Sequence, residues 1–344
     1  MSELVDHLAD LTGFRDRDVM DVTLVVALRE ILEPTSVAIY RQVGEGTERR
    51  WLTRAKMQAG DDTATTDPTW ANLDLLPRLD EYPERVQCMD GQAVMLSKAQ
   101  VGLTLFPVAT DVEVVGVLEI VSDTPLGISA QRQVSSILRI YRNFQGLLDY
   151  SERDTLTGLL NRKTFDESFL KLTSRPRVTG VEPQADEGRR QVGAQARYWL
   201  GVIDIDHFKS VNDNFGHLIG DEVLLLLSRL MRSSFRYNDR LYRFGGEEFV
   251  VLMLADGETG AWQAFERLRA NTERYPFPQV GRISVSIGFT DIKPGDSPSS
   301  AFERADKAVY FAKTHGRNQV HCHATLVEAG HFVEETIVGD MELF

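Results

Sequence analysis

Residues 243–250 read RFGGEEFV, and they are the most informative stretch of the 344-residue chain. Apolar residues lead into this stretch and follow it, with two glycines between them. Because glycine adopts positive φ without steric cost, the pattern predicts a tight β-hairpin. Glu247 and Glu248 follow the glycines at once, so the turn would bring negative charge to the end of a buried strand. A surface hairpin with solvated acids fits the same letters, because Gly-Gly turns are common.

Composition indicates the broad class of protein. The chain is 42% hydrophobic and 26% charged, which is typical of soluble globular proteins, and its length suits two domains. It has no apolar run near the ~18 residues that span a membrane and no signal-peptide pattern, so we expect a cytoplasmic protein without a membrane partner. Cys88 and Cys322 are too far apart in the sequence to suggest a disulfide framework. The net charge of −13 argues against a nucleic-acid partner, so a local cluster of Lys, Arg or metal must hold any anionic ligand.

Residues 1–127 show the pattern of a small α+β domain. We predict a helix over 19–32 and strands over 37–40, 51–57, 103–108 and 112–121. The closing pair of strands, LTLFPVATDVEVVGVLEIVS, resembles the end of a GAF domain, a family of small-molecule sensor modules. The resemblance implies a sensor for an unknown small-molecule or protein signal. A PAS-like sensor fits as well, and so does a domain that serves only in dimerisation.

Residues 128–153 are predicted to form a helix that joins the two domains. Apolar residues there follow the 3-4 spacing of a short coiled coil, namely Val134, Ile137, Tyr141, Phe144 and Leu148. A parallel pair of such helices would make the protein a homodimer and would transmit twist or register. A helix packed on its own domain fits the same spacing, because two to three heptads cannot exclude it.

Residues 154–323 carry elements in the order strand, helix, hairpin, helix, strand. This order predicts a split βαβ domain (βαββαβ, ferredoxin-like or palm-like), an antiparallel sheet with helices on one face. The first strand, 198–205, runs into Asp204-Ile205-Asp206, and period two places both aspartates on one face. A carboxylate there is costly unless a cation meets it, although the two acids could simply cap a loop.

Two further segments carry no functional motif. Residues 173–197 are rich in Pro, Gly, Gln, Arg and Glu and have few apolar anchors, which predicts a mobile loop. Residues 324–344 form a C-terminal tail for which the sequence suggests no role.

The C-terminal half resembles the GGDEF family, the diguanylate cyclases. Five blocks in the family's order carry the resemblance: DTLTGLLNR, DIDHFKSVNDNFGHLIGDEVL, RFGGEEF, SVSIGFT and ADKAVYFAKTHGRN. The signature reads GGEEF rather than GGDEF, and this variant is similar to active family members. The resemblance implies that two GTP molecules are joined into cyclic di-GMP with release of two pyrophosphates. Each 3′-hydroxyl would attack the α-phosphate of the other GTP across a dimer interface.

The resemblance also implies roles for individual residues. The implied catalytic residues are Glu247, Asp204 and Lys209, and the implied ligands of Mg²⁺ or Mn²⁺ are Asp204, the Ile205 carbonyl, Glu247 and Glu248. The implied GTP contacts are Asn212 and Asp221 at guanine, and Lys209, Lys313, Arg317 and the amides near His207 and Phe208 at the phosphates. An Asn and an acid suit guanine, because the acid can accept from N1–H and N2–H together. The metal would neutralise the triphosphate and lower the pKa of the hydroxyl.

An RxxD motif, Arg236 to Asp239, lies just before the Gly-Gly stretch. In the GGDEF family this spacing marks an inhibitory product site, and arginine suits both phosphate and guanine. Two other functions stay open: a catalytically silent cyclic di-GMP receptor that binds through this motif, and a GTP-binding regulator without turnover. Degenerate receptors typically lose the signature acids, whereas this chain keeps Asp204, Glu247 and Glu248, which favours the enzyme.

Overall fold

A computed structural model describes residues 16–44, 46–68, 73–111, 113–174 and 196–332, with isolated positions 9, 12, 13 and 71. The chain divides into two compact α+β units, residues 1–151 and 152–344. Most of the loop predicted over 173–197 lies outside the described residues. Within the described part, no helix is both long and apolar enough to cross a membrane.

The first unit is a five-stranded antiparallel sheet in the order β2-β1-β5-β4-β3. Its elements are α1 (Arg17–Leu32), β1 (Ser36–Val43), β2 (Arg50–Gln58), α2 (Pro83–Gly91), β3 (Met95–Leu96), β4 (Leu103–Ala109), β5 (Val114–Val121) and α3 (Ile128–Glu152). Helices α1 and α3 share one hydrophobic core with the sheet, and α2 contributes Cys88 to a second core. The predicted helix and four predicted strands of this unit are confirmed to within a few residues. Helix α2 and strand β3 were not predicted, because residues 83–96 carry little apolar periodicity.

Helix α3 is confirmed, but its apolar stripe is not a seam between two copies of the chain. Val134, Ile137, Tyr141 and Leu148 are at most 4% exposed and belong to the core that α3 forms with α1 and the sheet. The prediction of a coiled-coil seam was therefore wrong. A helix packed on its own sheet needs the same 3-4 spacing, and here that packing buries the stripe. Ile137→Lys would therefore place a charge in this core and destabilise the first unit, whatever the oligomeric state of the protein.

Within the first unit, a buried network of polar side chains connects α3 to α1 and to the sheet. The fully buried carboxylate of Asp21, on α1, accepts hydrogen bonds from Arg54 Nε at 2.7 Å and from the hydroxyl of Tyr141 on α3. The same hydroxyl accepts from Arg41 Nη2 at 2.8 Å. Burial raises the pKa of Tyr141 far above its ordinary value. The Tyr141 hydroxyl therefore stays neutral and serves as both donor and acceptor.

Tyr141→Phe is expected to lower the free energy of unfolding by about 2 kcal/mol, because it removes a hydrogen-bond partner from a buried carboxylate. Urea unfolding followed by circular dichroism measures the change. Tyr150→Phe makes the same chemical change on the same helix at a side chain that is 78% exposed, and it should have an effect below about 0.5 kcal/mol. Equal unfolding midpoints for the two variants would show that the network contributes no stability.

The second unit is a six-stranded sheet in the order β11-β10-β7-β9-β8-β6. Its elements are β6 (Leu160–Asn161), α4 (Arg162–Ser174), β7 (Ala196–Ile205), α5 (Phe208–Phe215), α6 (His217–Ser234), β8 (Arg240–Gly245), β9 (Glu248–Asp256), α7 (Gly257–Arg274), β10 (Val285–Asp291), α8 (Pro298–Thr314), β11 (Val320–Cys322) and α9 (His323–Glu328). The central strands pair antiparallel, and the edge strands β11 and β6 pair parallel. The predicted order of strand, helix, hairpin, helix and strand is confirmed.

Helices cover both faces of this sheet, so the prediction of helices on one face was wrong. On one face, α6 and α7 share a core with Phe249 and Phe289. On the other face, α8 lies so close to β10 that its backbone atoms approach Gly288. The sequence of β9 explains why both faces are covered. Every residue from Phe249 to Met253 is apolar and buried, so side chains on both faces of the strand need a packing partner. A strand buried on both faces carries a continuous apolar run, and the prediction did not use that signal.

The second unit also extends past its predicted end at residue 323. Helix α9 follows at once, and Leu326 on it is 5% exposed. Ala324 packs against the main hydrophobic core of the unit. The segment predicted as a tail therefore begins as part of the folded unit.

Candidate active site at the Gly-Gly turn

The Gly-Gly turn joins β8 to β9, as predicted. Gly245 has φ 142° and Gly246 has φ 51°, both in the region that favours glycine. The carboxylates meet there because β7 pairs with β9 and places Asp204 opposite Glu248. Glu247 is the residue between the second glycine and β9. The structure therefore brings the three predicted acids to one end of the sheet.

The side chain of Arg243 hydrogen-bonds the Gly-Gly turn to the DTLTG motif, residues 154–158. Its guanidinium donates to the carbonyl oxygen of Gly246 at 2.9 and 3.2 Å, and to the carboxylate of Asp154 at 3.0 Å. Asp154 also accepts from the amide and the hydroxyl of Thr157. Burial alone would raise the pKa of Asp154, but the hydrogen bonds from Thr157 and Arg243 hold it below its ordinary value. Asp154 is therefore ionised at neutral pH and helps to fix the turn that carries Glu247.

Asp204 is the most buried acid of the site, at 8% exposure. Its Oδ2 forms an ion pair with Lys313 Nζ at 2.7 Å, while its Oδ1 is buried without a hydrogen-bond partner among the described residues. Burial raises the pKa of Asp204, Glu247 and Glu248, and repulsion from neighbouring carboxylates raises each of them further. Several acids that repel each other around one unpartnered oxygen form an environment that favours a cation.

Asp306 belongs to the same cluster, although it was not among the predicted site residues. Its charge raises the pKa of Glu248 and of Asp204, and partial desolvation raises its own pKa. It lies on α8 seven residues before Lys313. Residues seven apart share one face of a helix, so this spacing could have found Asp306 from the sequence.

The donor set suits a hard divalent cation, because Mg²⁺ and Mn²⁺ prefer oxygen ligands. In the predicted site, Asp204, Glu247 and Glu248 would supply carboxylate oxygens, and Ile205, the last residue of β7, would supply a backbone carbonyl oxygen. In the part of the chain that the structure describes, no three His, Cys, Asp or Glu side chains are arranged so that they could already hold a metal ion. The unpartnered Oδ1 of Asp204 is the observation that supports the fit.

The predicted guanine contacts lie where α5 meets α6. Gly216, with φ 83°, separates the two helices. A β carbon on Gly220 would stand 2.0 Å from Asn212 Oδ1, so a glycine is required for the carboxamide of Asn212 to lie there. Asp221 follows Gly220 directly and is exposed. The structure therefore places Asn212 beside the turn of α6 that carries Asp221.

The predicted phosphate contacts come from two parts of the second unit. His207, with φ 58°, follows β7, and the buried Phe208 begins α5. Lys209 on α5 is exposed. Lys313 is near the end of α8, and the exposed Arg317 is in the turn after it. Of these residues, Lys313 is the one that the structure brings into direct contact with a predicted metal ligand.

Arg236 and Asp239 lie at the opposite end of β8 from the Gly-Gly turn. Asp239 accepts a hydrogen bond from the Arg236 amide at 2.8 Å, and the Arg236 side chain is exposed. Burial raises the pKa of Asp239 to about 6. Strand β8 has six residues, so the motif and the turn are roughly 20 Å apart. The RxxD motif is therefore separate from the carboxylate cluster.

Residues 151–319 match the family model described as diguanylate cyclase, GGDEF domain. These residues are a GGDEF domain. Over 170 residues the chain is 39% identical to diguanylate cyclase DgcP of Pseudomonas aeruginosa, covering 48% of this chain and 23% of that protein. Over 184 residues it is 35% identical to the response regulator PleD of Caulobacter vibrioides, covering 52% and 37%.

A solved structure, the GGDEF domain of DgcB from Caulobacter crescentus in complex with c-di-GMP, is 32% identical. The similarity covers 50% of this chain and 93% of that one, with a TM-score of 0.42. This chain spans less than half the length of the two curated relatives named above. The predicted GGDEF resemblance is confirmed, and all five motif blocks lie within the matched residues. The GAF-like interpretation of the first unit stays a prediction.

Proposed function

We propose that this protein is a diguanylate cyclase that joins two GTP molecules into cyclic di-GMP and releases two pyrophosphates. The observation that carries the proposal is the meeting of Asp204, Glu247 and Glu248 at the Gly-Gly turn of a GGDEF domain. Phosphoryl transfer depends on positioning and on stabilising negative charge, and this cluster is suited to both through a bound cation.

In this proposal, Asn212 and Asp221 bind the guanine edge. The lack of a side chain at Gly220 supports the assignment, because it lets the Asn212 carboxamide lie against α6. Lys209 and Arg317 contact the phosphates, together with the amides near His207 and Phe208. Both cationic side chains are exposed and therefore accessible to a ligand.

Asp204, Glu247, Glu248 and the Ile205 carbonyl would hold Mg²⁺ or Mn²⁺, which would neutralise the triphosphate and lower the pKa of the attacking 3′-hydroxyl. Glu247 and Asp204 would act as catalytic residues by holding the cation at the reacting centre, and Lys209 would add positive charge at the phosphates. The ion pair between Lys313 and Asp204 supports a contact of Lys313 with the triphosphate beside the metal ligands.

Three further features belong to the proposal. The reaction joins two GTP molecules, so we propose a homodimer in which two half-sites face each other. The first unit would be a GAF-like sensor that controls the cyclase in response to a small-molecule or protein signal. The protein would act in the cytoplasm, where GTP is available.

Purified protein incubated with GTP and Mg²⁺, followed by chromatography and mass spectrometry, tests the proposal. An enzyme produces cyclic di-GMP, and the production stops when EDTA removes the metal. A silent receptor binds added cyclic di-GMP but makes none. A GTP-binding regulator returns GTP unchanged, and either of the last two outcomes would refute the proposed activity.

Product inhibition at Arg236 and Asp239 makes a separate prediction. Product bound roughly 20 Å from the turn could not touch the GTP of the same half-site, but it could hold two domains in an unproductive arrangement. Arg236→Ala should therefore keep the initial rate and abolish the flattening of progress curves as cyclic di-GMP accumulates. The measurement is a GTP-turnover time course with and without added product.

Arg229→Ala is the matched control for this prediction, because it removes another exposed arginine from the same domain. The control should remain as sensitive to product as the wild type. Equal inhibition of the wild type and Arg236→Ala would leave Arg236 as an ordinary surface residue.

A further inference from the structure

The turn that carries Arg317 has an unusual backbone. Gly316, Arg317 and Asn318 follow one another with φ of 112°, 62° and 51°. Arg317 and Asn318 carry β carbons, so the left-handed conformation is sterically unfavourable at both, more so for arginine than for asparagine. Such a turn persists only where surrounding contacts determine it.

Asp206 supplies one of those contacts. It is 5% exposed, and its Oδ2 accepts from the backbone amide of Asn318 at 3.0 Å and from the Ser284 hydroxyl at 2.6 Å. Its Oδ1 accepts from the Ser286 hydroxyl at 2.6 Å. Both oxygens of Asp206 are therefore occupied, in contrast to Asp204, whose Oδ1 has no hydrogen-bond partner among the described residues.

The side chain of Asn318 is held from the other direction by α7. Its Oδ1 accepts from Arg269 Nη1 at 2.8 Å, and its Nδ2 donates to Glu273 Oε1 at 2.8 Å. Arg269 is itself paired with Glu273 at 3.0 Å. Asn318 is therefore fixed at its backbone by Asp206 and at its side chain by α7.

Arg317 precedes this fixed residue, and its own amide donates to the carbonyl of Ala312 on α8 at 2.9 Å. The backbone of Arg317 is thus held on both sides while its side chain is exposed. An exposed, flexible arginine loses entropy when it binds an anion, and a fixed backbone reduces that loss.

We infer that Asp206 is a positioning residue that fixes the turn presenting Arg317 to the phosphates of GTP. This inference rests on the proposed function, since it requires GTP as the ligand. Asp204 and Asp206, the two aspartates at the end of β7, therefore have different roles. Asp204 faces the cation site, and Asp206 anchors the arginine turn.

A double-mutant cycle of Asp206→Asn and Arg317→Ala tests the inference. Asparagine keeps the size of the side chain but replaces one accepting oxygen with an NH₂ group that cannot accept. Each single variant should raise the KM for GTP about tenfold, the effect of one lost charge-assisted contact, and should change kcat less than about threefold. Because Asp206 acts through Arg317, the double variant should be no worse than Arg317→Ala.

A merely structural role for Asp206 would give a different result. The two effects on KM would then multiply to roughly 100-fold. Either that result or an unchanged KM in Asp206→Asn would overturn the inference. The proposed function would still stand if the wild type makes cyclic di-GMP. A wild type that makes no cyclic di-GMP would refute both.

Two further variants keep the test decisive. Asp256→Asn neutralises an exposed aspartate elsewhere in the domain and should leave KM unchanged. If circular dichroism shows that Asp206→Asn does not fold, Asn318→Ala takes its place in the cycle. It removes the two contacts of Asn318 with α7 and leaves Asp206 intact. Asn318→Ala should also raise the KM for GTP about tenfold, and it should not raise KM further when Arg317 is already alanine.

Discussion

Glu247→Gln is expected to lower the rate of cyclic di-GMP formation by at least ~10²–10³-fold, and Asp204→Asn by as much. Both changes remove one negative charge from the cluster at the Gly-Gly turn and keep the shape of the side chain. The charge matters because the cluster would hold the divalent cation that neutralises the triphosphate. The measurement is the initial rate at saturating GTP and Mg²⁺.

The fold should survive these changes. The pKa values of Asp204 and Glu247 are raised in the folded protein, so their ionised forms oppose folding at neutral pH. This unfavourable contribution is absent below the ordinary pKa and sets in as pH rises toward the raised value. Neutral isosteres should therefore keep or raise the melting temperature at pH 7.

Glu303→Gln is the matched control, because it neutralises an exposed acid on α8 outside the cluster. It should retain the wild-type rate. Near-normal turnover by Glu247→Gln or Asp204→Asn would show that the catalytic carboxylates have been assigned wrongly.

Gly288→Ala is expected to destabilise the second unit by about 3 kcal/mol or more. A β carbon there would stand 2.2 Å from the Ala305 carbonyl oxygen, 2.4 Å from the Val309 amide nitrogen and 2.8 Å from the Ala308 carbonyl carbon. All three atoms are backbone atoms of α8, so no side-chain rotation relieves the clash and the helix must move. Because α8 carries Lys313, activity should fall together with stability. Thermal unfolding and the initial rate measure the two effects.

Gly260→Ala provides the matched comparison for Gly288→Ala. Gly260 lies within α7, where an added β carbon would meet only the Ala255 side chain at an ordinary 3.6 Å. Alanine favours the helix more than glycine does, so this variant should hold or gain stability. Equal melting temperatures for the two variants would show that β10 and α8 do not approach as closely as described.

The elements of the fold were predictable where the signal is local. The Gly-Gly turn, the helix α1 and strands β1, β2, β4 and β5 follow from turn chemistry and from the periods of strands and helices. The partner of an apolar face is not a local property. The stripe of α3 fits a second helix as well as it fits a sheet, and its spacing alone could not show that it packs on its own unit.

The candidate site shows the same division. The roles predicted for Asp204, Glu247 and Glu248 were implied by the resemblance of their motifs to the GGDEF family, and each motif is a short stretch at a strand end or turn. The hydrogen bond from Arg243 to Asp154 joins residues that are 89 positions apart in the chain, and local sequence spacing cannot predict a contact over that separation. The separate tasks of Asp204 and Asp206 were also hidden, because the partners of Asp206 lie 78 to 112 residues further along the chain.

The measurement that tests the central claim most directly is the stoichiometry of GTP turnover. GTP labelled at the α-phosphate is incubated with the wild type and, in parallel, with Glu247→Gln, and cyclic di-GMP and pyrophosphate are quantified. A diguanylate cyclase converts the label into cyclic di-GMP and releases two pyrophosphates for each product molecule, and the Glu247→Gln reaction stays near background. Wild-type protein that leaves the label in GTP, or releases pyrophosphate without forming cyclic di-GMP, would contradict the account.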